Sequence, residues 1–213
     1  MPEALEFYYY WGVAHYQQDQ KTEAMEVFKK GVRQVGSDSD KNLASDLYSM
    51  LGDLYHTQKL DAEAYAAYDS ALVYNPDNIG ALNNYAYYLS LEKKNLDKAE
   101  EMSYRTVKAE PTNETYLDTY AWILFEKGKY AEARIYIDQA IQNGGNQSSV
   151  VVEHCGDIYY QNGEREKAVE YWIQAEKLAE EEKAASDDES EARNPKELKL
   201  LKKKIANKKY YSE

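Results

Sequence analysis

Cysteine, proline and glycine are all scarce in this sequence, which has 213 residues but only one, four and ten of them. A lone cysteine, Cys155, excludes an internal disulfide, so cysteine usage does not identify a cellular compartment. With 43% hydrophobic and 30% charged residues, the composition indicates a soluble, mostly helical chain. It does not fit a β-sandwich or a disordered polymer.

Long apolar runs and an excess of basic charge are also missing. The longest uninterrupted apolar stretches, such as residues 120–125, are far shorter than the roughly 20 residues that span a bilayer. Residues 1–4 lack the basic region and apolar run of a secretion signal. The formal net charge of −12 disfavours broad binding to nucleic acid or to an acidic membrane surface. We therefore predict a soluble protein, cytoplasmic or periplasmic, with no nucleic-acid partner.

The sequence offers little that resembles catalytic chemistry. It contains no glycine-rich phosphate loop and no cysteine or histidine spacing typical of a zinc site. His154 and Cys155 are adjacent, but neighbours on a helix point about 100° apart and do not face each other. A packing role for Cys155 is therefore favoured over nucleophilic catalysis. We predict no enzymatic activity, no metal and no cofactor.

What the sequence does contain is a repeat with a period near 34 residues. Small residues recur with spacings of 40, 34, 35 and 35 at Gly12, Gly52, Ala86, Ala121 and Gly156. Two further small columns share this register, at Ala24, Ala64, Ala99, Ala133 and Ala168, and at Gly31, Ala71, Thr106, Ala140 and Ala175. A bulkier column lies between them, at Phe28, Tyr68, Ser103, Ile137 and Trp172. The repeating units close at Gly36, Pro76, Pro111 and Gly145.

Two amphipathic helices per period, with small residues where they cross, resemble the tetratricopeptide repeat. The resemblance covers roughly residues 5–180, is carried by stretches such as 51–55, 74–76 and 117–122, and is similar to bacterial repeat arrays. It implies an all-α fold, namely a right-handed superhelical solenoid of five helical hairpins with a C-terminal capping helix. The units are expected at about residues 5–38, 45–78, 79–113, 114–147 and 149–182.

Several segments depart from this pattern. Residues 39–44 are an insertion, for which we expect either a longer loop or an added helical turn. Ser103 occupies a bulky column, which predicts a soft joint in the third unit. Residues 181–193 are predicted to be an acidic linker, and residues 194–213 a basic helix opened by Asn194 and Pro195. This helix is interpreted either as a cap on the last hairpin or as a mobile basic arm for an acidic partner.

In tetratricopeptide arrays the first helix of each hairpin lines a groove, and the resemblance assigns 30 positions of this chain to it. Those positions contain seven Asp or Glu and no Lys or Arg. The candidate peptide-binding residues are Asp53, Asn83, Asn84, Tyr87, Asp118, Trp122, Phe125, Glu153, His154 and Asp157. The carboxylates are interpreted either as a solvated face or as a specific site, and the aromatic residues either as partly buried packing or as contacts to a partner.

These residues predict a non-catalytic scaffold that binds a neutral to basic protein segment carrying an apolar anchor. The basic clamp of the chaperone-binding family members is absent, so that activity is not transferred to this chain. An alternative function is assembly, in which the chain is a fragment of a longer protein and stacks on further repeats or on its own copies. Extending the register backwards places Pro2 where Pro76 and Pro111 end their units, which favours a preceding repeat.

Overall fold

A computed structural model describes residues 5–185 and 193–211, and the part of the chain that it describes is all-α. Its ten helices before residue 186 form five consecutive hairpins, which confirms the predicted class. Their bounds are α1 Leu5–Gln17 and α2 Lys21–Val32, α3 Lys41–Thr57 and α4 Asp61–Tyr74, α5 Ile79–Leu91 and α6 Leu96–Ala109, α7 Glu114–Glu126 and α8 Tyr130–Gln142, and α9 Ser149–Gln161 and α10 Arg165–Ala185. A further helix, α11, spans Pro195–Asn207.

The chain divides into two compact units, Met1–Tyr88 and Leu89–Glu213. In unit 1, the largest fully buried side chains are Phe28, Leu47, Leu54 and Tyr68 of hairpins 1 and 2 and Leu82 of α5. In unit 2, one continuous core joins hairpins 4 and 5, and Leu201 of α11 is fully buried in the same core. The apolar side of α11 thus belongs to unit 2.

Each hairpin closes through the same backbone hydrogen bond, in which an amide donates to the carbonyl five residues earlier. These bonds are Gln20 to His15, Leu60 to Tyr55, Lys94 to Leu89, Lys129 to Leu124 and Glu164 to Tyr159, all between 2.9 and 3.0 Å. In every case the residue before the donor has a positive φ, with Asp19, Lys59 and Lys93 in the first three turns and Gly128 and Gly163 in the last two. This six-to-one bond is the Schellman helix end. Four of the turns that it closes have three residues between the helices, and the turn between α5 and α6 has four.

The small and bulky columns of the sequence meet where the two helices of a hairpin cross. A Cβ placed on Gly156 would lie 2.5 Å from Cδ1 of Trp172, and one on Gly52 would lie 2.7 Å from Cζ of Tyr68. Both aromatic side chains are fully buried. Glycine is therefore required here because the ring of the second helix lies directly on the backbone of the first.

The insertion before hairpin 2 is an added helical turn. Helix α3 has 17 residues, whereas α1, α5, α7 and α9 have 13 each. Asp40 caps its N-terminus by accepting a 2.9 Å hydrogen bond from the amide of Leu43. Ser103 is fully buried, and its hydroxyl has no hydrogen-bond partner among the described residues. The softness of the third unit stays a prediction.

Two sequence interpretations fall wholly or partly outside the described residues. Pro2 lies in residues 1–4, and most of the segment interpreted as an acidic linker lies in residues 186–192. The first residues of that segment, up to Ala185, belong to helix α10.

The glycine crossing yields a stability prediction. Replacing Gly156 with Ala should lower the free energy of unfolding by about 1–3 kcal/mol, because the added methyl group overlaps Trp172. The matched control is Gly80→Ala in α5, where the only contact of an added Cβ among the described residues is Asn78 Oδ1 at 3.6 Å. That change should stabilise by up to about 1 kcal/mol through helix propensity. Urea denaturation followed by far-UV circular dichroism measures both, and equal effects would contradict the packing argument.

Candidate functional site

The structure separates the ten candidate residues into two clusters, one in each unit. Six of them lie on α7 and α9 in unit 2, and we call this cluster the unit 2 face: Asp118, Trp122, Phe125, Glu153, His154 and Asp157. The other four lie on α3 and α5 in unit 1: Asp53, Asn83, Asn84 and Tyr87. Hydrogen bonds join the first three of them. We call these four residues, together with Tyr9 of α1 and Asp46 and Met50 of α3, the unit 1 face.

The centre of the unit 2 face is a buried ammonium group held by two carboxylates. Nζ of Lys204, in α11, lies 2.7 Å from Glu153 Oε1 and 2.8 and 2.6 Å from the two oxygens of Asp157. The three residues are 3%, 6% and 2% exposed. Such an arrangement is stable only when charge and hydrogen bonds are matched, because each ion has lost its hydration. Glu153 and Asp157 are one helical turn apart, so α9 presents both to the same cation.

The pKa values of Glu153, Asp157 and Lys204 are shifted by this arrangement. Burial by itself would raise the pKa of Glu153, but Lys204 and Arg193 outweigh it and hold that pKa below its ordinary value. For Asp157 burial dominates and raises the pKa to about 6, against the attraction of Lys204. The pKa of Lys204 is raised, since the two carboxylates outweigh the desolvation that alone would lower it. The lysine therefore stays charged at neutral pH.

The ends of the α11 segment also contact the unit 2 face. Nη2 of Arg193, just before the helix, lies 2.5 Å from Glu153 Oε2. The ring of Tyr210, just after the helix, contacts Phe125 edge-on at 5.6 Å between centroids and lies 6.4 Å from Tyr160. Nζ of Lys204 lies 5.3 Å from the centroid of Tyr210, within the range of a cation–π contact. The segment thus contributes two cations and one aromatic ring to the acidic, aromatic face.

The remaining residues of the face form a stack beside the lysine. His154 Nδ1 lies 2.9 and 3.1 Å from the two carboxylate oxygens of Asp118. The indole of Trp122 stacks between His154, at 4.0 Å, and Phe125, at 4.8 Å. Asp118, His154 and Phe125 are all buried. In this unit the interpretation of the carboxylates as a plain solvated face is therefore wrong.

Sequence reasoning missed the cations of this face. The sequence predicts a basic helix over residues 194–213 without distinguishing Lys204, which lies three residues after Leu201 and shares its buried side. The helical spacing was a usable signal, because positions three apart lie on one face. Arg193 was assigned to the linker, and no local pattern predicts its contact with Glu153, 40 residues earlier.

On the unit 1 face a carboxylate is held by neutral donors. Oδ1 of Asp53 accepts hydrogen bonds from the hydroxyl of Tyr68 and, at 2.9 Å, from Nδ2 of Asn84. Asn83 in turn donates to Oδ1 of Asn84 at 3.3 Å. Burial raises the pKa of Asp53, although both donors act to lower it. Tyr87 is half-buried beside Tyr88, whose ring stacks on His56 at 3.5 Å.

Asp53 and Asp157 occupy equivalent places in hairpins 2 and 5. Each follows the glycine of the helix crossing and accepts a hydrogen bond from the aromatic residue that lies on that glycine. For Asp157 the donor is Nε1 of Trp172, at 2.8 Å. Both donors lie 15 residues after the carboxylate. In hairpin 1 the glycine is followed by Val13 and covered by Phe28, which has no polar group.

The described residues contain no group of three or more His, Cys, Asp or Glu placed to hold a metal ion. None of the helices within residues 5–185 and 193–211 combines the length and apolar character needed to cross a bilayer. Cys155 is fully buried, and that burial raises the pKa of its thiol. The thiolate, which is the reactive form, is therefore disfavoured at neutral pH.

Comparisons with known proteins place the fold. The family model described as "Tetratricopeptide repeat" matches residues 45–78 and 115–143. The TPR repeat-containing protein PA4667 of Pseudomonas aeruginosa is 29% identical over 140 residues, which is 65% of this chain. The chain spans only 22% of the length of that relative.

Solved structures agree with this result. PilF of Pseudomonas aeruginosa superposes with a TM-score of 0.67 at 18% identity, covering 95% of this chain and 83% of that one. The TPR protein TTC0263 of Thermus thermophilus has a TM-score of 0.65 at 14% identity, with 96% and 98% covered. MamA of Desulfovibrio magneticus RS-1 has a TM-score of 0.66 at 14% identity, with 86% and 97% covered. At these identities the likeness concerns the fold alone.

The hairpins and their crossings define a helical-repeat protein in which small residues pack against large ones at a fixed period. With the family match at residues 45–78 and 115–143 and the bacterial relatives, the chain is a helical-repeat protein that carries tetratricopeptide repeats in hairpins 2 and 4. Proteins of this kind are generally protein-interaction modules and typically non-catalytic scaffolds.

The contact between His154 and Asp118 predicts a pH-dependent contribution to stability. Burial alone would lower the pKa of His154, but Asp118, with Asp157 and Glu153 nearby, outweighs burial and raises it above 6.5. The protonated histidine thus stabilises the fold fully below about pH 6.5, and this contribution is lost as pH rises through the raised pKa.

Substitution of His154 with Asn, which keeps a donor near the Nδ1 position, tests this contribution. The difference in free energy of unfolding between wild type and variant should be largest below about pH 6.5 and shrink at higher pH. His154 also lowers the pKa of Asp157, so the difference measures His154 together with the carboxylates that face it. Denaturation at a series of pH values measures it, and a difference that grows with pH would contradict the assignment.

Proposed function

We propose that this chain is a non-catalytic interaction module that binds a segment of another protein against the faces lined by the first helices of its hairpins. The carrying observation is the buried contact of Lys204 with Glu153 and Asp157. A first-helix face of this chain already holds a basic helix in the way proposed for a partner. The family match supports an interaction role in general.

The proposed partner segment is neutral to basic and carries an apolar anchor. On the unit 2 face, the chain's own segment supplies this chemistry with Lys204 and with the ring of Tyr210 on Phe125. The unit 1 face has six half-buried side chains, which are Tyr9, Asp46, Met50, Asp53, Asn84 and Tyr87. None of these carries a positive charge, so the face favours a cationic or neutral ligand over an acidic one.

The chemistry of the faces supports binding over catalysis. An active site needs a nucleophile, acid or base free to meet a substrate. Cys155 is fully buried, His154 is held by Asp118 under the indole of Trp122, and Asp157 is held by Lys204 and Trp172. Each of these groups is therefore buried or already paired and is not free to meet a substrate.

The proposal predicts that the full chain prefers basic to acidic peptides. In fluorescence-anisotropy titrations with peptide libraries matched in length and aromatic content, we expect basic peptides to bind more tightly, and added salt to weaken binding modestly by screening. A clear preference for acidic peptides would reject the proposal.

A matched pair of variants locates the contact on the unit 1 face. Asp46→Asn removes one charge there but keeps an acceptor for the 2.9 Å hydrogen bond from Nδ2 of Asn78. It should weaken binding of a basic peptide by about 1 kcal/mol or less, the range of partly exposed charge pairs. The control Glu63→Gln removes one exposed charge from the second helix of the same hairpin and should leave affinity unchanged.

Assembly is the second candidate function, because helix α1 has an exposed aromatic side. Phe7, Tyr10 and Trp11 are 52%, 69% and 39% exposed and, with Glu6, line one shallow cavity. Exposed apolar patches of this kind are buried by further repeats or by another copy.

Assembly through this patch predicts concentration-dependent association of the chain. In sedimentation equilibrium the wild type should self-associate, and the double substitution Phe7→Ser and Trp11→Ser should shift it to monomer. Because these side chains are exposed, circular dichroism should show that the variant stays folded. A wild type that is monomeric at all concentrations would reject self-assembly through this patch.

A further inference from the structure

The α11 segment, residues 193–211, contacts the unit 2 face in the manner of a ligand. Among its 19 described residues only Leu201 and Lys204 are buried. Arg193 and Tyr210, one at each end, contact α9 and α7, Ile205 packs against the core of unit 2, and Lys202 lies 3.6 Å from Glu176 of α10. A short helix anchored by one apolar side chain, one cation and a terminal aromatic ring resembles the way peptide helices bind in protein grooves.

The face cannot be left empty without consequence. With α11 docked, Glu153 and Asp157 are each at most 6% exposed. Two neighbouring buried carboxylates repel and are poorly solvated, so a cation is favoured at the position of Lys204. Around that position lie the two carboxylates of α9, Trp172 Nε1 as a neutral donor, and Arg193 of the same segment on Oε2 of Glu153. An ammonium group fits this donor and acceptor inventory. Release of the segment leaves both carboxylates without a cation.

With α11 docked, some buried hydrogen-bond donors have no acceptor among the described residues. Nε and Nη1 of Arg193 are buried and make no hydrogen bond with any described residue, although Nε lies 3.7 Å from a carboxylate oxygen of Glu197. Nε1 of Trp122 is buried on the same face and likewise finds no hydrogen-bond partner in the described part of the chain. Leu201 and Lys204 are the two buried residues of the described segment, so its docking depends on few side chains, and this favours a segment that can be exchanged.

We propose that α11 is an internal ligand of the unit 2 face and that a partner helix takes its place, presenting a lysine to Glu153 and Asp157 and an aromatic ring, six residues later, to Phe125. This inference rests on the proposed function and identifies the partner by the chemistry of Lys204 and Tyr210. It also makes binding at this face self-limiting. The apparent affinity of any external helix equals its intrinsic affinity multiplied by the fraction of molecules in which α11 is released.

The experiment uses labelled peptides and the full-length chain. The probe is a peptide of residues 193–211, and its matched control carries Lys204→Met. The receptors are the wild-type chain, the full-length variant Lys204→Met, in which the internal ligand is weakened, and the variant Lys199→Met, which removes an exposed lysine of the same helix. Binding is measured by fluorescence anisotropy, with circular dichroism to confirm folding.

We expect the wild-type peptide to bind the Lys204→Met chain at least about tenfold more tightly than the other two chains, because its site is less often occupied. The Lys204→Met peptide should bind none of the three. Equal affinity of the wild-type peptide for all three chains, or no binding to a folded Lys204→Met chain, would overturn the proposal.

Hydrogen exchange on the unmodified chain keeps the test decisive if the Lys204→Met chain does not fold. Release of α11 as a separate step predicts that amides of residues 198–207 exchange at least about tenfold faster than those of residues 152–158 in α9. Equal protection of the two helices would show that α11 opens only with the whole unit, against the proposal. If library peptides bind although the amides of α11 are as protected as those of α9, the proposed function stands and only the exchange of α11 is rejected. If α11 exchanges fast but no library peptide binds, the external partner is rejected, and the proposed function with it.

Discussion

The rest of this structure depends on the contact of a small residue with a side chain of the second helix where the two helices of a hairpin cross. In hairpins 1, 2 and 5 this contact is an aromatic ring against a glycine. It sets how closely the helices approach and carries the polar tip of the ring to the next residue of the first helix. In hairpins 2 and 5 that residue is an aspartate, which accepts a hydrogen bond from Tyr68 or Trp172. The same packing contact that closes the hairpin therefore also buries a carboxylate at the edge of the first-helix face.

The aspartates Asp53 and Asp157 differ in the residues that bind their carboxylates. Asp53 is held by the neutral donors Tyr68 and Asn84, and its burial raises its pKa. Asp157 is held by Trp172 and also by the charged Lys204, which it shares with Glu153. One repeat element, used twice, thus gives a site closed by neutral donors in unit 1 and a site closed by a cation in unit 2.

The sequence predicted the hairpins well, because their period, small columns and helix ends are local features. Gly52 and Gly156 lay in the correct column, and the predicted insertion became an added turn of α3. The occupant of the unit 2 face was not predictable in the same way. Lys204 lies in a run of lysines. It differs from the others because it contacts Glu153 and Asp157, which lie 51 and 47 residues earlier in the chain. Long-range pairing of charges has no periodicity that a single sequence displays.

The hairpin turns explain how so little sequence is needed to keep this fold. Their closing bond joins two backbone groups, and the left-handed position before it is occupied by Asp19, Lys59 and Lys93 as well as by glycine. A turn closed in this way places few demands on side chains, so most residues between the crossing columns are free to change over evolutionary time. Chains sharing only 14–18% of their residues accordingly retain one backbone path. The side chains on the helix faces can therefore differ without a change of fold.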